Sequence, residues 1–185
     1  MSDRRIDIRF AGLGGQGVVT AGALLGAAAS LEGWKAAGST TYGSQARGGT
    51  AYADVALSKE AIDFPHLEQA DYLVVMSQES YDEYAKVVRP GGVILFDAFH
   101  VTPKTIDRVP QHGVAATRSA MDRFGNGQAA NIVMLGALAA LSGLVGFETL
   151  RETIRKEGNA RFVESNLAAL DIGIGLADGL KGETP

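Results

Sequence analysis

The chain has 185 residues, 46% of them apolar and 21% charged, with 17 Lys and Arg against 21 Asp and Glu. That length and composition suit one domain spanning residues 1–185 with a real core, and a net charge of −4 without any basic run excludes a nucleic-acid groove. With no cysteine and three widely separated histidines, the sequence offers no disulfide, thiolate nucleophile, Cys-ligated cluster or metal-spacing motif.

The N-terminal stretch MSDRRIDIRF lacks the apolar core of a signal peptide, so a cytoplasmic location is expected. Ile6, Ile8 and Phe10 alternate with charged residues and read as a strand entering a core. GLGGQG, Gly12 to Gly17, is a turn. Val18, Ala21, Leu25 and Ala28 recur at helical spacing, and Gly33 closes that helix. WKAAGSTTY reads as a second strand, YGSQARGG as a polar loop, and TAYADVALS as a third strand.

Asp71 to Met76 is an apolar run expected to be a buried strand, and SQESYDEYAKVV follows as a helix with Ser77 as its N-cap. Pro90-Gly91-Gly92 reads as a turn before the buried strand VILFDAF, and GVAATRS, residues 113–119, as a short further strand. Three helices complete the chain: QAANIVMLGALAALSGLV, FETLRETIRKEG, and one within residues 161–180; the tail 181–185 is expected to fray. Residues 124–147 carry no charge, but Asn131, Ser142, Gly136, Gly143 and Gly146 interrupt the apolar stretch, so a core helix is expected there and no membrane span.

Strands alternating with helices predict an α/β fold: a Rossmann-like, doubly wound, mostly parallel sheet with helices on both faces. Ligands of such sheets bind beyond the carboxyl ends of the strands. That rule puts Gly12 to Gly17, the loop near Tyr42, Ser77-Gln78 and Asp97-Ala98 on one rim. Asp97 ends a buried strand there, and a structural role, accepting loop N–H groups, is favoured over acid–base chemistry.

Gly12, Gly14 and Gly17 match G-x-G-x-x-G in a strand–turn–helix setting, and Gly15 adds a fourth glycine. Glycines let a phosphate approach the backbone, and the helix N-terminus supplies free N–H groups and a positive dipole end. The ribose-binding acid expected about 20 residues later is missing: the second strand reads Ala36-Ala37-Gly38-Ser39-Thr40-Thr41. Glu32 lies near the right count but precedes Gly33 at the helix end. No Gly-Lys-Ser/Thr follows, so the Walker pattern fails, and the missing acid weakens a methyltransferase reading too. Tight strand–helix packing alone is the alternative role for these glycines.

In the second loop Arg47 is the only basic residue between Lys35 and Lys59, and it precedes Gly48-Gly49. Its guanidinium can fork onto a carboxylate or phosphate; a solvated surface arginine is the alternative.

Together, GLGGQGVVTAG and YGSQARGGTAYADVALS resemble the gamma subunit, or gamma domain, of 2-oxoacid:ferredoxin oxidoreductases, and VVRPGGVILFD and GNGQAANIVMLGAL extend the resemblance from about Ile8 to Leu170. Gln45 departs from it, standing where many members carry Glu. The resemblance implies a complex that oxidatively decarboxylates a 2-oxoacid to its acyl-CoA. Thiamine diphosphate, magnesium and iron–sulfur clusters would lie on alpha and beta partner subunits, with a delta subunit a further candidate, and ferredoxin would take the electrons. This chain would bind no cofactor alone, carry no catalytic residue and be inactive alone. It would shape the channel for coenzyme A with Gly12, Gly14, Gly15, Gln16, Gly17, Tyr42, Ser44, Arg47, Gly48 and Gly49, or use those loops for partner contacts only. Asn126 would cap the following helix or join the rim. A stand-alone chain of this kind leans slightly toward 2-oxoglutarate as the substrate, with pyruvate or a branched-chain oxoacid close behind. Two other functions stay open: a self-sufficient nucleotide- or coenzyme-dependent enzyme, and a ligand-binding regulatory module.

Overall fold

The computed structural model describes residues 4–42, 49–64 and 66–180. One six-stranded sheet runs through it in the order β2-β3-β1-β4-β5-β6. Its strands are β1 (Ile6–Leu13), β2 (Lys35–Tyr42), β3 (Thr50–Ser58), β4 (Ala70–Val75), β5 (Val88–Asp97) and β6 (Gln111–Val114). The helices are α1 (Val18–Leu31), α2 (Gln78–Tyr84), α3 (Ala116–Phe124), α4 (Ala130–Ser142), α5 (Phe147–Glu157) and α6 (Val163–Leu180).

The expected α/β architecture is present, as a mixed sheet. β1–β4, β4–β5 and β5–β6 pair in parallel, whereas β3 runs antiparallel to both β1 and β2. The reversal follows from chain length. A parallel return needs a crossover of about a dozen residues or more, and only residues 43–49 separate β2 from β3.

Two expectations require correction. The strand expected at residues 113–119 is β6, Gln111–Val114, and the helix α3 begins already at Ala116. The buried carboxylate of Asp97 accepts from Thr117 N at 3.3 Å and Thr117 Oγ1 at 2.5 Å, and this anchors the first turn of α3. Pro90-Gly91-Gly92 lies inside β5 as an irregularity, where the pairing with β4 shifts register, and Gly91 N donates to Arg108 O at 2.7 Å.

Each face of the sheet buries its own apolar layer. On one, Ile8, Phe10, Leu57 and Leu95 pack under α1, α4, α5 and α6. On the other, Leu73, Val75 and Ile94 pack against Tyr81 and Tyr84 of α2. The charged positions that alternate along β1 are buried as well. Arg9 lies directly across from Asp54 on β3 and bonds it bidentately at 2.6 and 2.7 Å. The guanidinium also stacks on Tyr52 and Tyr84, 4.1 and 4.9 Å from their ring centres. Burial works against the charge of Arg9, but the Asp54 hydrogen bonds more than offset it and hold the guanidinium above its ordinary range. Burial pushes the Tyr84 phenol up.

The uncharged segment is a core helix. Eleven of the 13 residues of α4 are buried, and among the described residues no helix is long and apolar enough to cross a membrane. α4 crosses α6 with the two backbones almost touching. A Cβ added to Gly173 would lie 2.0 Å from Val133 O, and one on Gly136 would lie 2.4 Å from Leu170 O. Gly175, two residues further along α6, meets nothing within 4 Å. We therefore expect Gly173→Ala to destabilise the fold by about 1–3 kcal/mol through overpacking. Gly175→Ala should stabilise it by roughly 0.5–1 kcal/mol through helix propensity. Urea unfolding of the two variants checks both signs.

Candidate functional site

The glycine turn sits where β1 ends, between the carboxyl ends of β3's neighbour strands and the start of α1. Leu13 is the last residue of β1, paired with Thr50 of β3, and Gly17 is the N-cap of α1. Gln16 folds its side chain back beneath the turn. Its Oε1 accepts from Leu13 N at 2.7 Å, and its Nε2 donates to Met76 O at 2.9 Å just beyond β4. Gly12 leaves the space for this, since a Cβ there would lie 2.6 Å from Gln16 Oε1.

A second pin comes from the far end of the sequence. Asn131, 6% exposed in the first turn of α4, donates from Nδ2 to Gly17 O at 2.9 Å. Gly17 has φ 74°, a left-handed conformation costly to other residues, and a Cβ on it would sit 2.5 Å from Asn131 Nδ2. Gly15 is also left-handed, with φ 99°, but the space beside it is open. Gly12 and Gly17 are thus fixed by what lies inside the fold, while Gly15 faces outward.

The two glycine motifs meet. Gly14 N donates to Gly49 O at 3.0 Å, which joins the turn after β1 to the residue before β3. Tyr42 ends β2 and pairs with Ala51, so its backbone reaches the same rim. Ser44, Gln45, Arg47 and Gly48 lie outside the described residues.

A cleft of about 530 Å³ opens beside the turn. Gly15, Gly17, Asn126, Asn131, Phe124 and Phe162 are among its walls, and among the described residues no acidic or basic side chain lines it. Asn126 stands on this rim, where its Oδ1 accepts from Gln128 N at 3.0 Å. Gly17 makes no side-chain cap, and the first turn of α1 carries no acid, so nothing neutralises the positive end of the helix dipole there. Such a cleft can cradle a polar or anionic group and hydrogen-bond it. Among the described residues it holds no side chain able to move a proton near neutral pH.

The other rim residues have structural duties. Asp97 is fully buried and accepts from Phe99 N at 3.2 Å as well as from Thr117, as expected for a loop-ordering carboxylate. Ser77 caps α2 by accepting from Ser80 N at 3.1 Å, and Gln78 accepts from Thr102 N at 2.8 Å. Glu32 accepts from Gly146 N at 2.7 Å at the opposite end of α1, so it is no ribose ligand. Phe124, Gln128, Phe162 and Asn166 line the cleft without any local motif to mark them. Among the described residues no group of His, Asp or Glu could hold a metal ion.

Comparison with known proteins agrees with this architecture. The family profile for pyruvate ferredoxin/flavodoxin oxidoreductase matches residues 7–176. The 2-oxoglutarate synthase subunit KorC of Methanocaldococcus jannaschii is 38% identical over 187 aligned positions, covering 96% of this chain and 98% of that one. The ketoisovalerate oxidoreductase subunit VorA of Methanothermobacter marburgensis is 36% identical, over 97% of this chain but 38% of its own length. The gamma subunit of a keto/oxoacid ferredoxin oxidoreductase from Geobacter sulfurreducens shares the fold with a TM-score of 0.85 at 34% identity, covering 95% of this chain and 98% of that one.

Gln16→Glu tests the lower pin. The carboxylate can still accept from Leu13 N but cannot donate to Met76 O. The expected loss is about 1–3 kcal/mol in urea unfolding at pH 7. Protonation restores a donor, so the new carboxyl should have a raised folded-state pKa, and the deficit should shrink as the pH falls toward 4.

Proposed function

The chain belongs to the pyruvate ferredoxin/flavodoxin oxidoreductase family, as a gamma subunit of the 2-oxoacid:ferredoxin oxidoreductase complexes, and on that premise we infer that its glycine rim forms one wall of the coenzyme A channel. It is one subunit of an oxidoreductase made of several. In the proposed division of labour, alpha and beta subunits carry thiamine diphosphate, magnesium and iron–sulfur clusters, a delta subunit completes some assemblies, and ferredoxin is the electron acceptor. The thiamine group supplies the decarboxylation chemistry on its own chain. The matching length and 38% identity of a 2-oxoglutarate synthase subunit favour 2-oxoglutarate as the substrate. The complex is proposed to work in the cytoplasm.

One observation carries this: the cleft beside Gly15 and Gly17 is walled by carboxamides, hydroxyls, glycine backbone and phenylalanine, with no acid or base among the described residues. The Gly14 and Gln16 N–H groups are taken by Gly49 O and Leu13 O, so the backbone of Gly15 and Gly17 and the open end of α1 are left to suit the diphosphate or pantetheine amides of the coenzyme. Gly12 and Gln16 set the shape of the turn from beneath. Gly48 and Gly49 let the coenzyme or a partner chain approach, Tyr42 and Ser44 flank the channel, and Arg47 supplies the positive charge that the cleft itself lacks.

The test is made on the assembled enzyme, purified anaerobically through this chain. Thiamine-binding and iron–sulfur chains should co-purify. Arg47→Ala should raise the apparent KM for coenzyme A about tenfold or more, with the KM for the 2-oxoacid unchanged. If that variant changes only subunit association, the loop is an assembly element and the channel role is wrong.

A further inference from the structure

The end of the sheet opposite the glycine rim carries a device with no part in that channel. Residues 59–69 join β3 to β4 near the amino ends of β1 and β4. Arg5, just before β1, reaches this connection. Its Nη1 donates to Phe64 O at 2.5 Å and its Nη2 to His66 O at 3.0 Å, so one guanidinium grips the chain on both sides of position 65. The same guanidinium bonds Asp7 at 2.9 and 2.7 Å. Asp7 N in turn donates to Asp71 at 2.8 Å, and Asp71 pairs with Arg4 and Arg89. Leu67 is buried and seats the return of the loop.

What this clamp displays is apolar. Phe64 is 77% exposed, more than any other large hydrophobic residue among those described, and Ala61 is exposed beside it in sequence. A lone apolar residue on a surface needs no explanation. A phenylalanine whose backbone is bolted to the strand next to it is different, because ordering a loop costs about 1–2 kcal/mol per residue. That cost is recovered on binding, when a preorganised anchor loses little further freedom.

The surrounding charge specifies the partner. Glu60, Asp63 and Glu68 are exposed around the tip. The nearby cations are neutralised: Lys59 lies 3.9 Å over the Trp34 ring, while Arg5 and Arg89, which share a cleft with Phe64, are paired with Asp7 and Asp71. The outward surface is a hydrophobic tooth in an acidic frame.

We propose that the 59–69 loop docks this chain onto another subunit of its complex, with Phe64 filling an apolar pocket rimmed by Lys or Arg. This rests on the assignment of the chain as one subunit of a larger enzyme. The subunit is then held at both ends of its strands, by the glycine rim on one side and the Phe64 loop on the other, and bridges two surfaces. A second copy of the chain would meet the tooth with an equally acidic loop, so the partner is a different chain.

The experiment compares wild type, Phe64→Ala and the double variant Glu60→Lys/Asp63→Lys in the complex co-expressed with its thiamine- and cluster-bearing chains. Association is followed by size exclusion on dilution at low and high salt, and the thermal midpoint of each isolated chain serves as the folding control. Phe64→Ala should weaken association at least tenfold with no shift in midpoint, and Phe64→Leu should recover part of the loss. The charge reversal should weaken association at low salt and remove its salt sensitivity. Wild-type assembly with Phe64→Ala assembling equally well overturns the docking loop alone. Self-association of the isolated chain that Phe64→Ala abolishes overturns it in favour of a homodimer. Failure of the wild type to associate overturns both the loop and the subunit assignment beneath it.

Discussion

The rim depends on two carboxamides that hold one backbone turn from opposite sides. Gln16 ties it to the ends of β1 and β4, and Asn131 ties it to the first turn of α4, 114 residues away. Neither bond is strong; a neutral hydrogen bond contributes about 1 kcal/mol net. Their effect is geometric. They fix Gly17 at the N-cap of α1 and leave the open side of the turn, at Gly15, facing a cleft. The core helices serve this arrangement, because α4 can carry Asn131 to the turn only if it lies in the core, and its close crossing with α6 at Gly136 and Gly173 keeps it there.

A pocket built this way is a mould and not a reactor. Its walls hydrogen-bond and exclude, but among the described residues they offer no group that titrates near neutral pH. Several charged residues are engaged elsewhere: Arg9 with Asp54 inside the sheet, Asp97 on the first turn of α3, and the Arg4, Arg5, Asp7, Asp71 and Arg89 cluster at the amino ends of β1 and β4. This distribution fits a subunit of a larger oxidoreductase. In the proposed division of labour its contribution is shape and attachment.

Much of this was legible in the residues. Apolar runs and alternation located β3 and β4 to within a residue, β1 runs two residues further than expected, to Leu13, and Ser77 marked the start of α2. The two glycine motifs were expected on one rim, and the Gly14–Gly49 hydrogen bond joins them. Strand–helix alternation suggested a mostly parallel sheet, and the antiparallel pairing that the short step from β2 to β3 forces was not read from it. What escaped was set by distant partners. The switch from β6 to α3 is made by Asp97, twenty residues before Thr117. Arg9 sat at a position that alternation assigns to solvent, yet Tyr84 of α2 covers it. Asn131 looked like a polar interruption in an apolar helix, and Phe124 and Phe162 carried no local sign that they line a cleft.

The central claim is that Gly15, Gly17 and the open first turn of α1 offer backbone N–H groups to a coenzyme on a site that other chains complete. A density map of the whole anaerobic complex with coenzyme A bound tests it most directly. The account places the diphosphate or a pantetheine amide within hydrogen-bond reach of those N–H groups, with a thiamine-bearing chain forming the opposite wall. Coenzyme density on another subunit, with the turn after β1 packed dry against protein, would contradict it.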